Sequence, residues 1–338
     1  MGGSFVFQSA LQVPFSVEVH VKGVQDPMNA STIGIVGFGL MGCDVAAIFL
    51  AAGWHVQAVE PDLPNWEERR KRVRVSVGQL EKAFVPERLR LMRSVEELDW
   101  EGIKLVLEAI PENLELKRTV FAQLDPLVPP HIPIGSNASG FRISDLAGHC
   151  KTRNRMANLH FFAPAHLVPV VEVVRGEHTD PATADALYQI MKAVGRMPVR
   201  VNRDVPGFLA NRIQHALMRE AFAVIDEGLG TAEDVDTVVR YGFGFRYMAA
   251  GPILQKEFAG LDTHLSAART IYPSLSNSKV PSRVLKEVVA EGRLGMKAGR
   301  GFWNWTPEQA KQECERYERT LLAALKLLQS SKASTEGS

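Results

Sequence analysis

His160 closes an apolar run, RMANLHFF, and Glu172 lies inside the next one, VVEVV. An imidazole exchanges protons near neutrality, so a positioned histidine can remove the hydroxyl proton of an alcohol as hydride leaves the adjacent carbon. A carboxylate within an apolar strand is costly to bury alone, and Glu172 therefore requires a partner. Were the two runs to pair as a hairpin, the carboxylate would meet the imidazole, fix its tautomer and raise its basicity. The competing reading of the same two residues is a buried ion pair with no reaction. The second chemical feature is the turn Gly37-Phe38-Gly39-Leu40-Met41-Gly42, which follows the β-branched run TIGIV and opens the apolar segment VAAIFLAAG. In a G-x-G-x-x-G turn the first glycine permits the bend, the second admits a pyrophosphate to the backbone, and the third lets the helix pack on the sheet. Glu60 ends the next run, HVQAV, where a carboxylate binds adenosine ribose hydroxyls and repels a 2′-phosphate. NAD is therefore favoured over NADP, with Gly37, Gly39, Leu40, Met41, Gly42 and Glu60 as its contacts. One of the cations in the run from Arg69 to Arg74 remains a candidate phosphate ligand.

These residues need a frame that brings strand ends together. Strand, glycine turn, helix and strand make a βαβ unit with a right-handed crossover. Further apolar runs follow at KLVLEAI, IPIGS, RMANLHFF, LVPVVEVV and MPVRV, with the helical stretch NLELKRTVFAQL between the first two. This alternation predicts an α/β Rossmann fold with a doubly wound, mostly parallel sheet. Asn65-x-x-Glu68 has the spacing of a capping box ahead of a charged helix. After Asp204-Val205-Pro206-Gly207 the strand-like runs end, and FLANRIQHALMREAFAVIDEG starts a helical pattern, with Thr231 as a later cap. The expected division is an irregular extension over 1–27 ahead of Met28, a nucleotide-binding domain over 28–204, an all-helical second domain over 205–328, and a frayed polar tail over 329–338.

Composition narrows the function. Of 338 residues, 46% are hydrophobic and 23% charged, which excludes wholesale disorder. Lys and Arg number 39 against 38 Asp and Glu, so no global field draws the chain to nucleic acid or an anionic membrane. No run approaches the ~20 apolar residues of a membrane helix. Residues 1–27 lack the charge pattern of a secretory signal. Cys43, Cys150 and Cys314, odd in number and far apart, suit a reducing compartment, and the cytoplasm is expected. No metal set is evident: there is no H-E-x-x-H, and His160 with His166 lacks a third ligand.

The segments EAIPENLELK, SNASGFRISDLA, NLHFFAPAHLVPVVEVV and PGFLANRI, in this order and with a late KAGRGF turn, resemble the 3-hydroxyacyl-CoA dehydrogenase family over about residues 31–305. The resemblance implies NAD-dependent oxidation of a 3-hydroxyl group at a junction between a Rossmann domain and a helical domain that commonly dimerises. It implies His160 as general base, Glu172 as its orienting carboxylate, and Ser139 and Asn211 as hydrogen-bond partners of substrate and cofactor. Glu112, Lys117 and Lys297 match further cofactor contacts. One departure stands out: the family pattern H-F-F-N-P is here His160-Phe161-Phe162-Ala163-Pro164, which removes an amide worth on the order of 1 kcal/mol. The segment from Gly242 to Pro252 is similar to the small-acid relatives, L-gulonate 3-dehydrogenase with lambda-crystallin, L-carnitine dehydrogenase and the pyridine-carboxylate dehydrogenase. Its Arg246 has the planar charge that grips a carboxylate. The expected substrate is thus a small 3-hydroxy acid. The alternatives are a CoA thioester, whose phosphate the 69–74 helix would meet, and a non-catalytic NAD(H)-binding protein.

Overall fold

A computed structural model describes residues 31–335, so the expected extension over 1–27 lies outside them. Eight strands form one sheet: β1 (Thr32–Val36), β2 (His55–Val59), β3 (Leu89–Met92), β4 (Ile103–Glu108), β5 (Ile134–Ser136), β6 (Met156–Phe161), β7 (Val170–Val174) and β8 (Met197–Val201). Their spatial order is β3-β2-β1-β4-β5-β6-β7-β8. All neighbours run parallel except β6 and β7, which pair antiparallel with His160 opposite Glu172. The strand pattern is apolar on both faces, as a sheet covered on two sides requires.

Helices α1 (Leu40–Ala51), α2 (Trp66–Gln79) and α5 (Pro181–Ala193) pack with one buried cluster, which includes Ile35, Phe49, Val73 and Leu187. Helices α3 (Leu114–Leu127) and α4 (Ile143–Leu146) pack with the other, which includes Val106, Phe121 and Leu146. Strand β3 escapes the sequence because it has only four residues, with Arg90 exposed among them. The capping box expected at Asn65 does not form. A short 3-10 turn over Leu63–Asn65 precedes α2, and the Asn65 amide donates to Asp62 Oδ2 at 2.9 Å instead.

After β8 the chain is helical: α6 (Ala210–Asp226), α7 (Ala232–Val238), α8 (Gly244–Tyr247), α9 (Pro252–Ala259), α10 (Leu261–Ile271), α11 (Arg283–Ala290) and α12 (Pro307–Thr335). Thr231 caps α7 in a full capping box with Asp234. Helix α12 continues to Thr335, past the point where a frayed tail is expected; neither glycine nor proline interrupts it there. It returns to the sheet domain, where Glu318 accepts from Gln79 at 3.0 Å. From α6 to α10 no residue is buried, and Ile213, Phe245, Ile253 and Phe258 are each at least 60% exposed.

Arg155 fixes the start of β6, the strand that carries His160. Its guanidinium donates to four carbonyl oxygens, those of Asp125, Val128, Pro129 and Ile132, at 2.6 to 3.0 Å. Arg155→Met keeps the stem and leaves these buried acceptors without a donor. Urea unfolding is expected to report a loss of about 3 kcal/mol; a loss under ~0.5 kcal/mol would contradict this anchoring role.

Candidate active site

The glycine turn is built as a nucleotide requires. Gly37 has φ +97°, and a Cβ there would lie 2.7 Å from the Ile110 nitrogen. A Cβ on Gly42 would lie 2.2 Å from the Gly37 oxygen, so the third glycine lets α1 close onto its own turn. At Gly39 nothing lies within 4 Å of the Cβ position, which leaves the backbone open to a ligand. This open face belongs to a cleft of about 860 Å³ lined by Gly37, Gly39, Leu40, Met41, Glu60 and Ser139, among others. The α1 N-terminus faces it with a partial positive charge suited to pyrophosphate. The residues therefore fit a dinucleotide.

At the adenosine end Glu60 is nearly buried, accepts from the Asp62 N–H at 3.1 Å, and stands 3.8 Å from Arg69 Nε. Arg69 is thus engaged with the acid rather than free for a phosphate. Neighbouring Arg72 pairs with buried Asp44 at 2.7 Å, and Arg70 donates to the Leu89 oxygen. Arg74 lies over the Phe84 ring.

The antiparallel register of β6 and β7 brings His160 and Glu172 together. His160 Nδ1 is 2.8 Å from Glu172 Oε2, and both side chains are buried. His160 Nε2 is 3.0 Å from Ser139 Oγ, which reaches it from the loop after β5. Phe162 and Phe208 pack beside the imidazole with ring centroids at 4.4 and 5.6 Å. Glu172 Oε1 accepts from the backbone N–H groups of Leu209 and Ala210 at 3.0 and 2.8 Å, where α6 begins. Burial pushes the Glu172 carboxyl up. The hydrogen bonds from His160, Ala210 and Leu209 outweigh this and hold it below the usual carboxylate range. Glu172 is therefore an anion, and its neighbour imidazole keeps Nδ1 protonated and Nε2 free to accept.

Glu112 and Lys117 shape the loop that carries Ser139. Glu112 Oε1 accepts from the Ser139 and Gly140 N–H groups at 3.1 and 2.8 Å, and Glu112 lines the cleft. Lys117, expected as a cofactor contact, is buried behind that wall. Its ammonium lies 2.6 Å from Glu108 Oε1 and 3.4 Å from Glu112 Oε2. Glu108 and Asn137 went unnoticed in the sequence. Asn137 lines the cleft and accepts the Phe161 N–H at 2.9 Å, locking the end of β6. Its position two residues before Ser139, just past a strand end, is the signal that marks it.

The other expected site residues are not among those that line the cleft. Asn211 stands on the first turn of α6, next to the Glu172 contact, in a depression of about 470 Å³. Lys297 is exposed on the turn Met296–Ala298 and is not among the residues that line the cleft. Arg246, expected to hold the substrate carboxylate, lines a separate groove with Gln255, Lys256 and Leu328. With the Gln255 amide in its favourable orientation, that oxygen accepts from Arg246 Nε at 2.9 Å. The Arg246 guanidinium is thus paired with a neighbouring helix, and Arg246 is not among the residues that line the nucleotide cleft. Ala163 is exposed in the loop after β6.

Comparison with known proteins agrees with this geometry. The 3-hydroxyacyl-CoA dehydrogenase NAD-binding domain matches residues 32–205, and the C-terminal domain of the same family matches residues 207–305. A 5-formyl-3-hydroxy-2-methylpyridine 4-carboxylate 5-dehydrogenase from Mesorhizobium japonicum is 32% identical over 302 residues, covering 88% of this chain and 98% of that protein. An L-carnitine dehydrogenase from Streptomyces coelicolor is 34% identical over 69% of this chain and 75% of its own. The crystal structure of a 5-formyl-3-hydroxy-2-methylpyridine 4-carboxylic acid 5-dehydrogenase, an NAD+-dependent dismutase, superposes with a TM-score of 0.83 at 31% identity, covering 89% of this chain and 99% of that one. With both domains matched in order around a histidine, a carboxylate and a nucleotide turn, the chain belongs to the 3-hydroxyacyl-CoA dehydrogenase family of NAD-dependent oxidoreductases.

Proposed function

We propose that this enzyme oxidises the secondary hydroxyl of a small, free 3-hydroxy acid to the 3-keto acid. The observation that carries the reading is the buried chain Glu172–His160–Ser139 at the edge of the nucleotide cleft. NAD, when bound, supplies the hydride acceptor. The rest falls to the side chains. The substrate hydroxyl donates to His160 Nε2, with Ser139 Oγ and the Asn211 amide bonding the same oxygen. As the C–H bond breaks, the proton moves to Nε2, and the resulting imidazolium is balanced by Glu172. The phenyl rings of Phe162 and Phe208 keep water from the imidazole.

The preference for a free acid over a CoA thioester is supported by the pyridine-carboxylate and carnitine relatives. It is also supported by four of the five cations of α2: Arg69, Arg70, Arg72 and Arg74, though not exposed Lys71, are engaged within the fold rather than free for a CoA phosphate. The division near residue 204, with sheet domain before and helical domain after, is part of the same reading. A homodimer is supported by the helices from α6 to α10, which leave large apolar side chains uncovered that a second copy would bury. A cytoplasmic setting is supported by three free cysteines, two of them buried.

His160→Ala is expected to lower kcat by ~10² or more while NADH affinity, read by tryptophan fluorescence, stays within twofold. An unchanged kcat would remove His160 from proton transfer. Because the Glu172 pKa is lowered on folding, its stabilising contribution is complete above the unfolded carboxyl value near 4.5 and is lost as pH falls through the folded value. Glu172→Gln is therefore expected to be less stable than wild type at pH 7 by about 2 kcal/mol or more, with the gap closing as pH drops below 4.5. Urea unfolding at pH 7 and pH 4 measures this, and a gap that does not change with pH would contradict it.

A further inference from the structure

The helix that starts at the Glu172 carboxylate carries a cationic face that the catalytic reading leaves unused. On α6, Asn211, Arg212, His215 and Arg219 line one depression of about 470 Å³, together with Pro206, Gly207 and Ala216. Residues 212, 215, 216 and 219 fall at three- and four-residue spacings and share a face of the helix. Ala216, between Arg212 and Arg219, leaves the floor of the depression low. No carboxylate is among the lining residues. Arg212, His215 and Arg219 are exposed and make no side-chain hydrogen bond or ion pair among the described residues. They differ in this from the engaged arginines of α2 and from Arg246 with its Gln255 partner.

We infer that this face of α6 is the substrate's anion site, with Arg219 and His215 holding the free carboxylate. The inference rests on the proposed oxidation of a 3-hydroxy acid and names the residues that select its charged end. Asn211 lines the depression next to Ala210, whose N–H bonds Glu172, and α6 leads away from it at 1.5 Å per residue. Arg219 is two turns along, roughly 12 Å at the backbone. Long helical side chains lean toward the helix N-terminus, so its guanidinium reaches back by about a turn toward Asn211. The carboxylate of a 3-hydroxy acid, two bonds from the reacting carbon, meets it there, while the hydroxyl remains at His160. A guanidinium with an imidazole beside it suits a compact planar anion. The neighbouring line of Ile213 and Leu217 is apolar and falls on the next face, free to meet a second copy.

The test compares 3-hydroxybutyrate, its methyl ester and its CoA thioester as substrates of the full-length enzyme with NAD. For Arg219→Ala combined with His215→Ala, KM for the free acid is expected to rise about tenfold, with kcat within threefold and KM for the ester unchanged. Arg219→Lys is expected to recover part of the loss. Arg246→Ala is expected to leave the acid-to-ester ratio of KM as it is in wild type. Binding of 3-hydroxybutyrate to the enzyme–NADH complex, followed by calorimetry, adds a readout independent of turnover. Weakened binding in the double variant supports the anion site even if no 3-hydroxy acid is oxidised, in which case the proposed reaction alone fails. The site is overturned if the double variant leaves the acid-to-ester ratio and the calorimetric affinity unchanged, if Arg246→Ala shifts the ratio instead, or if only the CoA thioester suffers.

Discussion

Glu172 holds the molecule's chemistry and its architecture at one point. One carboxylate oxygen faces His160, and the other takes two backbone N–H groups at the start of α6. A buried anion is tolerable only when such partners surround it. The same bonds that keep it ionised fix the imidazole's orientation and the entry of the helix that carries Asn211. Orienting the base and attaching the helical region to the sheet are therefore one interaction. A change at residue 172 would move both.

The nucleotide side repeats this economy. Buried Lys117 lies between Glu108 and Glu112, and Glu112 in turn holds the backbone of the loop that presents Ser139. Two carboxylates around one buried ammonium share its charge and tie the loop to the sheet behind it. Asn137 closes the set by bonding the Phe161 N–H next to His160. The serine that reaches His160 is thus positioned by charges behind the cleft wall, and Lys117 acts through the loop it supports.

Much of this was legible in the amino-acid order. The glycine turn, Glu60 and the pairing of His160 with Glu172 follow from strand patterns, because a period-two register places successive residues on fixed faces. The parts that escaped depend on packing beyond one strand pair. Lys117 reads as a surface cation until Glu108, nine residues earlier, is known to face it. The Asn65 capping box fails because a 3-10 turn takes up the residues before α2. Arg246 on α8 pairs with Gln255 on α9, a contact that helical periodicity does not encode. The α6 cations are plain in the sequence, yet nothing in it says that they share a depression with Asn211.

The central claim is that His160, oriented and charge-balanced by Glu172, accepts the hydroxyl proton. The kcat/KM of Glu172→Gln beside wild type, with NADH affinity measured in parallel, tests it most directly. Without the neighbouring anion nothing fixes the imidazole's tautomer or balances the imidazolium formed on proton transfer, so kcat/KM should fall by ~10² or more while NADH affinity holds. A variant whose kcat/KM coincides with that of wild type would contradict the account.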